Sequence, residues 1–114
     1  MTQMSELLER LFVSAEGIME ELSTKTGEFN SQQFVRKVMH EQPAAYIDVL
    51  AYFRDNAEPF HRAHVEICQY LSQVAKKHGY EQLAGSIPET SVFLTSTTAT
   101  VYRRRLQPHT EEPV

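Results

Sequence analysis

Three side chains that can ligate zinc fall at helical spacing in the second half of the chain. His61, His64 and Cys68 lie at positions i, i+3 and i+7, so a helix would place all three on one side. A structural zinc ion takes four ligands, and His40 and His78 are two further histidines that could supply the fourth. Because His64 also falls in an apolar seam, and a free cysteine often behaves as a small apolar residue, we favour a core role over metal binding.

The sequence offers little that resembles catalytic machinery. His64 and Cys68 could be drawn as a base and a nucleophile, but no third group stands in a pattern that would orient the histidine. The four glycines are too scattered to form a phosphate-binding loop: Gly17, Gly27, Gly79 and Gly85. We therefore expect no enzymatic activity and no cofactor.

A run of uncharged residues that ends in arginines sets the C-terminal region apart. Residues 91–102, SVFLTSTTATVY, carry no charge and are followed by three arginines. Residues 1–90 contain eight basic and thirteen acidic residues, whereas residues 91–110 contain three arginines and no acid. Since phosphate binding needs a positive surface, this segment is where nucleic acid or an acidic protein could bind. The candidate contacts are Thr100, Tyr102, Arg103, Arg104 and Arg105.

The sequence leaves two alternatives for the secondary structure of this basic segment, a helix and a strand. The stretch TVYRRRL at residues 100–106 resembles the second half of a helix-turn-helix recognition helix, in which hydroxyls hold phosphate and arginines read guanine edges. However, the first helix of that motif should end a short turn upstream, whereas residues 86–94 intervene here and contain a proline at position 88. The β-branched residues favour a strand over 91–102. We favour the strand. We expect it to be covered by the rest of the domain or by a second subunit, with only the arginines presented to solvent.

Four helices are predicted before residue 90. The first covers residues 4–23, where apolar residues recur every three or four positions. The second begins at a capping box with Asn30 as N-cap and Gln33 at N3. Pro43 and Pro59 open the third and fourth helices, and the third has a broad apolar surface. A further helical turn is predicted over residues 80–84.

The first predicted helix carries an apolar seam with coiled-coil spacing. Its members are Leu8, Leu11, Ala15, Ile18 and Leu22. Within one chain this seam would form part of the core, whereas between two chains it would form a short coiled coil. Since small helical domains often complete their cores by association, we expect a homodimer.

The composition is that of one globular domain. The chain has 114 residues, of which 41% are apolar and 23% charged. We expect residues 1–106 to fold and residues 107–114, which contain two prolines and little to bury, to form a disordered tail. No window approaches the roughly 20 apolar residues of a membrane span. Because Cys68 is the single cysteine, no intramolecular disulfide can form. This leaves the redox compartment open, and the cytoplasm is the default expectation.

These patterns predict a mainly α fold, in which a four-helix bundle-like domain carries a short β or extended element after residue 90. The favoured function is that of a small cytoplasmic regulatory protein that acts by protein–protein binding or homo-oligomerisation. The alternative is a nucleic-acid-binding regulator that uses residues 100–105.

Overall fold

The computed structural model describes residues 3–90 and 96–104, and these ranges contain five helices and five short strands. The helices are α1 Gln3–Leu11, α2 Ala15–Leu22, α3 Ser31–Glu41, α4 Pro43–Tyr52 and α5 Pro59–Lys77. The strands are β1 Glu28–Asn30, β2 Tyr80–Gln82, β3 Ile87–Thr90, β4 Ser96–Ala99 and β5 Val101–Arg104. The prediction of a mainly helical fold is confirmed, whereas that of a four-helix bundle is not. The predicted tail at 107–114 lies outside the described residues.

The prediction of one continuous helix over residues 4–23 is wrong. A turn at residues 12–14 divides it into α1 and α2. α1 contacts α4 while α2 contacts α3, so the two halves pack against different helices. Phe12 is buried at this turn, where its ring lies 5.2 Å from that of Phe34 and 4.8 Å from that of Tyr70.

The starts of α3, α4 and α5 agree with their local sequence signals. The Asn30 side chain accepts a hydrogen bond of 2.9 Å from the Gln33 N–H, and the Gln33 side chain accepts one of 2.9 Å from the Asn30 N–H. This reciprocal pair is the predicted capping box. Pro43 and Pro59 lie in the first turns of α4 and α5, where a missing N–H removes no helical hydrogen bond. The three predicted starts are confirmed.

A three-stranded antiparallel sheet has β5 in its centre, between β1 and β2. Tyr102 of β5 pairs with Phe29 of β1 and with Gln82 of β2. β3 and β4 form a second antiparallel pair. β4 and β5 agree with the predicted β element after residue 90. The helical turn predicted over residues 80–84 is wrong, because this stretch begins with β2, whose partner strand is distant in the sequence.

The core lies between the helices and the inner side of the sheet. Its largest fully buried side chains come from helices and sheet alike: Leu11, Met19, Phe29, Phe34, Ile67 and Leu71. The rings of Phe29 and Phe34 lie 6.3 Å apart and join β1 to α3. None of the helices in the described ranges combines the length and the apolarity that a membrane crossing requires.

Candidate functional site

The predicted basic segment forms the central strand of the sheet. Tyr102 is 3% exposed, and its ring stacks on that of Phe29 at 5.3 Å. Burial raises the pKa of Tyr102 above its usual value. Thr100 donates its backbone N–H to the Ser31 hydroxyl at 3.1 Å. The recognition-helix alternative is therefore wrong for the described part of this segment, where Tyr102 is a core residue. Arg105 lies outside the described residues.

Arg103 lies on the outer side of the sheet between two acidic side chains. Its Nε donates to Glu28 Oε2 at 3.3 Å, and Glu81 is its direct neighbour on β2. Opposite charges that face each other across strands attract. The positive charge that stands out in the sequence is thus flanked by two carboxylates in the fold. Arg103 therefore does not extend a basic surface.

Arg104 directs its guanidinium group toward the inner side of the sheet. Its Nη2 donates to the Ser23 hydroxyl at 2.8 Å and to the Tyr80 hydroxyl at 3.3 Å. The guanidinium also lies 5.8 Å from the centre of the Tyr80 ring. Arg104 is an exposed residue, but its charged group links β5 to the end of α2 and to β2. These hydrogen bonds give Arg104 partners within the fold.

The apolar seam of the first helix lies inside a single chain. Leu8, Leu11, Ala15 and Ile18 are at most 5% exposed, and Leu22 contacts the same core. Leu8 and Leu11 belong to α1, and the other three belong to α2. A dimer built on this seam would require the domain to open first.

His61, His64 and Cys68 share the face of α5 that the sequence suggested, but in different surroundings. His61 is exposed, whereas His64 Nε2 lies 2.7 Å from the Tyr46 hydroxyl and Cys68 is partly buried. Burial lowers the pKa of His64 and raises that of Cys68, which favours a neutral imidazole and a protonated thiol. Among the residues that the structure describes, no three histidine, cysteine or carboxylate side chains are grouped as metal ligands.

An apolar depression lies where the end of α4 meets the start of α5. Its volume is about 330 Å³. We name its lining the α4–α5 face, which consists of Ile47, Leu50, Ala51, Arg54, Pro59 and Phe60. Within this lining, Ile47 is 61% exposed and Phe60 is 51% exposed. Large apolar side chains that are exposed together mark a binding surface more often than an ordinary exterior.

The sequence of α4 explains this exposure, because the helix is apolar on both sides. Asp48 is its only charged residue. The side chains buried in the core are those of Ala45, Tyr46 and Val49. The exposed positions include Ala44, Ile47 and Ala51. A helix that is apolar all round is normally buried all round. Sequence reasoning recognised the broad apolar surface of this helix but did not single out its outer side as a site.

Contacts with the core hold the α4–α5 face in place. The hydrogen bond between Tyr46 and His64 joins α4 to α5. Phe53 is buried directly after α4, and the guanidinium of Arg62 lies over its ring at 5.9 Å. Arg62 is itself paired with Glu66 at 3.1 Å. The two helices therefore present the face as a preformed surface.

No family model, curated protein or solved structure matches this chain. Inference about function therefore depends on the geometry of the described residues.

Proposed function

We propose that this protein is a small cytoplasmic regulatory protein that acts by binding another polypeptide rather than by catalysis. The observation that supports this proposal is the α4–α5 face, where Ile47 and Phe60 expose more than half of their surfaces around an apolar depression. Removing apolar surface from water favours association by about 25 cal/mol per Å². A partner that covers this face would supply the burial that α4 lacks on its outer side.

The composition and the rigidity of the face support the same proposal. Aromatic side chains and arginine are enriched in protein interfaces, and Phe60 and Arg54 line the depression. The Tyr46–His64 hydrogen bond fixes the two helices relative to each other before any partner arrives. Because less ordering is then required on binding, more of the contact free energy remains as affinity.

Homodimer formation is one form of this proposal. A dimer through the α4–α5 face would use a surface that a single folded chain exposes, unlike the seam at residues 8–22. Light scattering over a range of protein concentrations would detect it as a rise in mass. A folded monomer at every concentration would remove the homodimer and leave a different polypeptide as the partner.

A differential capture experiment tests the proposal. Immobilised full-length wild type, Ile47→Ser and Val13→Ser are exposed to lysate of the host cell, and the retained proteins are identified by mass spectrometry. Val13 is 71% exposed in the turn between α1 and α2, so Val13→Ser removes a similar apolar group elsewhere. We expect a protein that the wild type and Val13→Ser retain and that Ile47→Ser loses. Equal recovery by all three would count against the proposal.

Nucleic-acid binding is a second candidate function. The outer side of α5 suits it better as a binding surface than β5 does. Exposed polar side chains follow one line along this helix: Arg62, Gln69, Gln73 and Lys76. Arginine and glutamine can read base edges, lysine contacts phosphate, and a major groove about 12 Å wide admits a helix. Two features make this candidate weaker than protein binding. Arg62 is paired with Glu66, and the chain has a net charge of −4.

Salt dependence separates this second candidate from the first. Anisotropy of a labelled DNA duplex should fall steeply between about 50 and about 200 mM salt if phosphates are neutralised. Lys76→Met should then reduce the slope of log affinity against log salt by about 1, whereas Arg103→Met should leave it unchanged. Binding that does not respond to salt would contradict a nucleic-acid role.

A further inference from the structure

Arg54 gives the α4–α5 face its charge. It is the only charged residue among the described residues that line the depression. It is exposed, and it forms no ion pair with any residue that the structure describes. By contrast, Asp48, the charged residue of α4, is paired with Arg10 at 2.9 Å. An arginine that has no ion pair among the described residues therefore lines the apolar depression.

We infer that the polypeptide bound at the α4–α5 face is an amphipathic segment that carries a carboxylate beside its apolar side chains. This partner chemistry rests on the proposed function and specifies it further. The apolar side chains of the segment cover Ile47 and Phe60, and an aspartate or glutamate next to them pairs with Arg54. Arginine and carboxylate can form two parallel hydrogen bonds, which fix orientation as well as charge.

A carboxylate fits this position better than a phosphate does. Asp55 and Glu58 are exposed within four residues of Arg54. A phosphate group with nearly two negative charges would meet one guanidinium and these two carboxylates. The same two carboxylates repel a singly charged carboxylate less strongly than a phosphate, and one carboxylate is enough to pair with Arg54. An apolar depression between two helices also suits the helix-in-groove mode of peptide recognition.

Two synthetic peptides test this inference. Both are amidated helices of about 16 residues with leucines on one side, and they differ only in whether glutamate or lysine flanks the leucines. Binding to the full-length protein is measured by fluorescence anisotropy at about 0.15 M salt, where charges more than about 8 Å apart are screened. Because the chain has a net charge of −4, the quantity compared is the ratio of the two affinities in each variant.

Arg54→Met should lower the affinity for the glutamate peptide relative to the lysine peptide by about two- to fivefold, the range of an exposed ion pair. Arg54→Glu should lower the ratio further. Lys76→Met makes the same change of charge about 24 Å from Phe60 along α5 and should leave the ratio unchanged. An equal ratio in the wild type and Arg54→Met would overturn the inference.

Ile47→Ser distinguishes failure of this inference from failure of the proposed function. If Ile47→Ser weakens both peptides while Arg54→Met leaves their ratio unchanged, the face binds polypeptide but does not select a carboxylate. If Ile47→Ser weakens neither peptide, the α4–α5 face is not their binding site, and the proposed function is contradicted as well.

Discussion

The strand β5 and the α4–α5 face differ in how their side chains are placed: those of β5 have partners within the chain, whereas several on the face are exposed to solvent. In β5, Arg103 is flanked by two carboxylates and Arg104 donates to two hydroxyls, so the described charged groups are matched within the chain. On the face, Ile47 and Phe60 expose apolar surface, and Arg54 has no ion pair among the described residues. Groups with partners within the chain hold the fold together, whereas exposed apolar surface beside an arginine without an ion pair marks a surface that a second molecule can complete.

Truncating Tyr102 should give the largest loss of stability. Tyr102→Ala removes a buried ring that stacks on Phe29, and such cavities destabilise by about 3–5 kcal/mol. Tyr52→Ala, which removes a half-exposed ring at the end of α4, is the matched control, with an expected loss of about 1 kcal/mol or less. Urea denaturation measures both. Equal losses would show that β5 is no more deeply embedded than the outer side of α4.

The second largest effect on stability is expected at the two neighbouring arginines of β5, whose replacements should differ in the free energy of unfolding that they cost. Arg104→Met removes a charged donor to Ser23 and Tyr80, and we expect a loss of about 1.5–3 kcal/mol in the free energy of unfolding. Arg103→Met breaks an exposed ion pair and should lose about 1 kcal/mol or less. Both substitutions remove one positive charge and keep an unbranched side chain. If Arg103→Met proved the more damaging, the assignment of Arg104 as the structural arginine would be wrong.

Local signals predicted much of the helical part of this fold. The Asn30 and Gln33 capping box depends on residues three positions apart, and Pro43 and Pro59 act on their own turns. The residues that cause such features lie within a few positions of one another in the sequence. The turn that divides α1 from α2 was missed, because it depends on which helices each half contacts.

The sheet and the candidate site depend on contacts between distant residues. β1 and β2 are three residues long, which is too short for an alternating pattern to show, and each exists by pairing with β5. A charge count along the sequence therefore placed Arg103 in a basic segment, although Glu28 neutralises it in the fold. The apolar breadth of α4 was visible in its sequence, but which side stays exposed is decided by its neighbours.

Acid should destabilise the protein through His64, the residue of α5 whose side chain contacts Tyr46 of α4. Burial lowers the pKa of His64 below its usual value near 6.5, so the unfolded chain binds its proton more readily. Stability should therefore fall as the pH drops through about 6.5, until the lowered pKa is passed, with a slope of at most about 1.4 kcal/mol per pH unit. Urea denaturation between about pH 5 and about pH 8 measures this.

His64→Gln should flatten this dependence, because glutamine can still hydrogen-bond to Tyr46 but does not titrate. His40→Gln, which makes the same exchange at an exposed position on α3, is the matched control. Hydrogen exchange should show that the loss of stability in acid is local: the amides of α4 should lose more protection than those of β5. An unchanged slope in His64→Gln would contradict the role assigned to this histidine.

Replacing Ile47 should have the smallest effect on stability. Ile47→Ser exchanges two residues of similar helix propensity at an exposed position, so the free energy of unfolding should change by no more than about 0.5 kcal/mol. Val13→Ser provides the comparison at an exposed position outside the face. A loss above about 1 kcal/mol, specific to Ile47→Ser, would mean that this side chain already stabilises the domain. A neutral Ile47→Ser that also loses the captured partner would separate binding from folding, because the same apolar side chain would then matter only when a second molecule covers it.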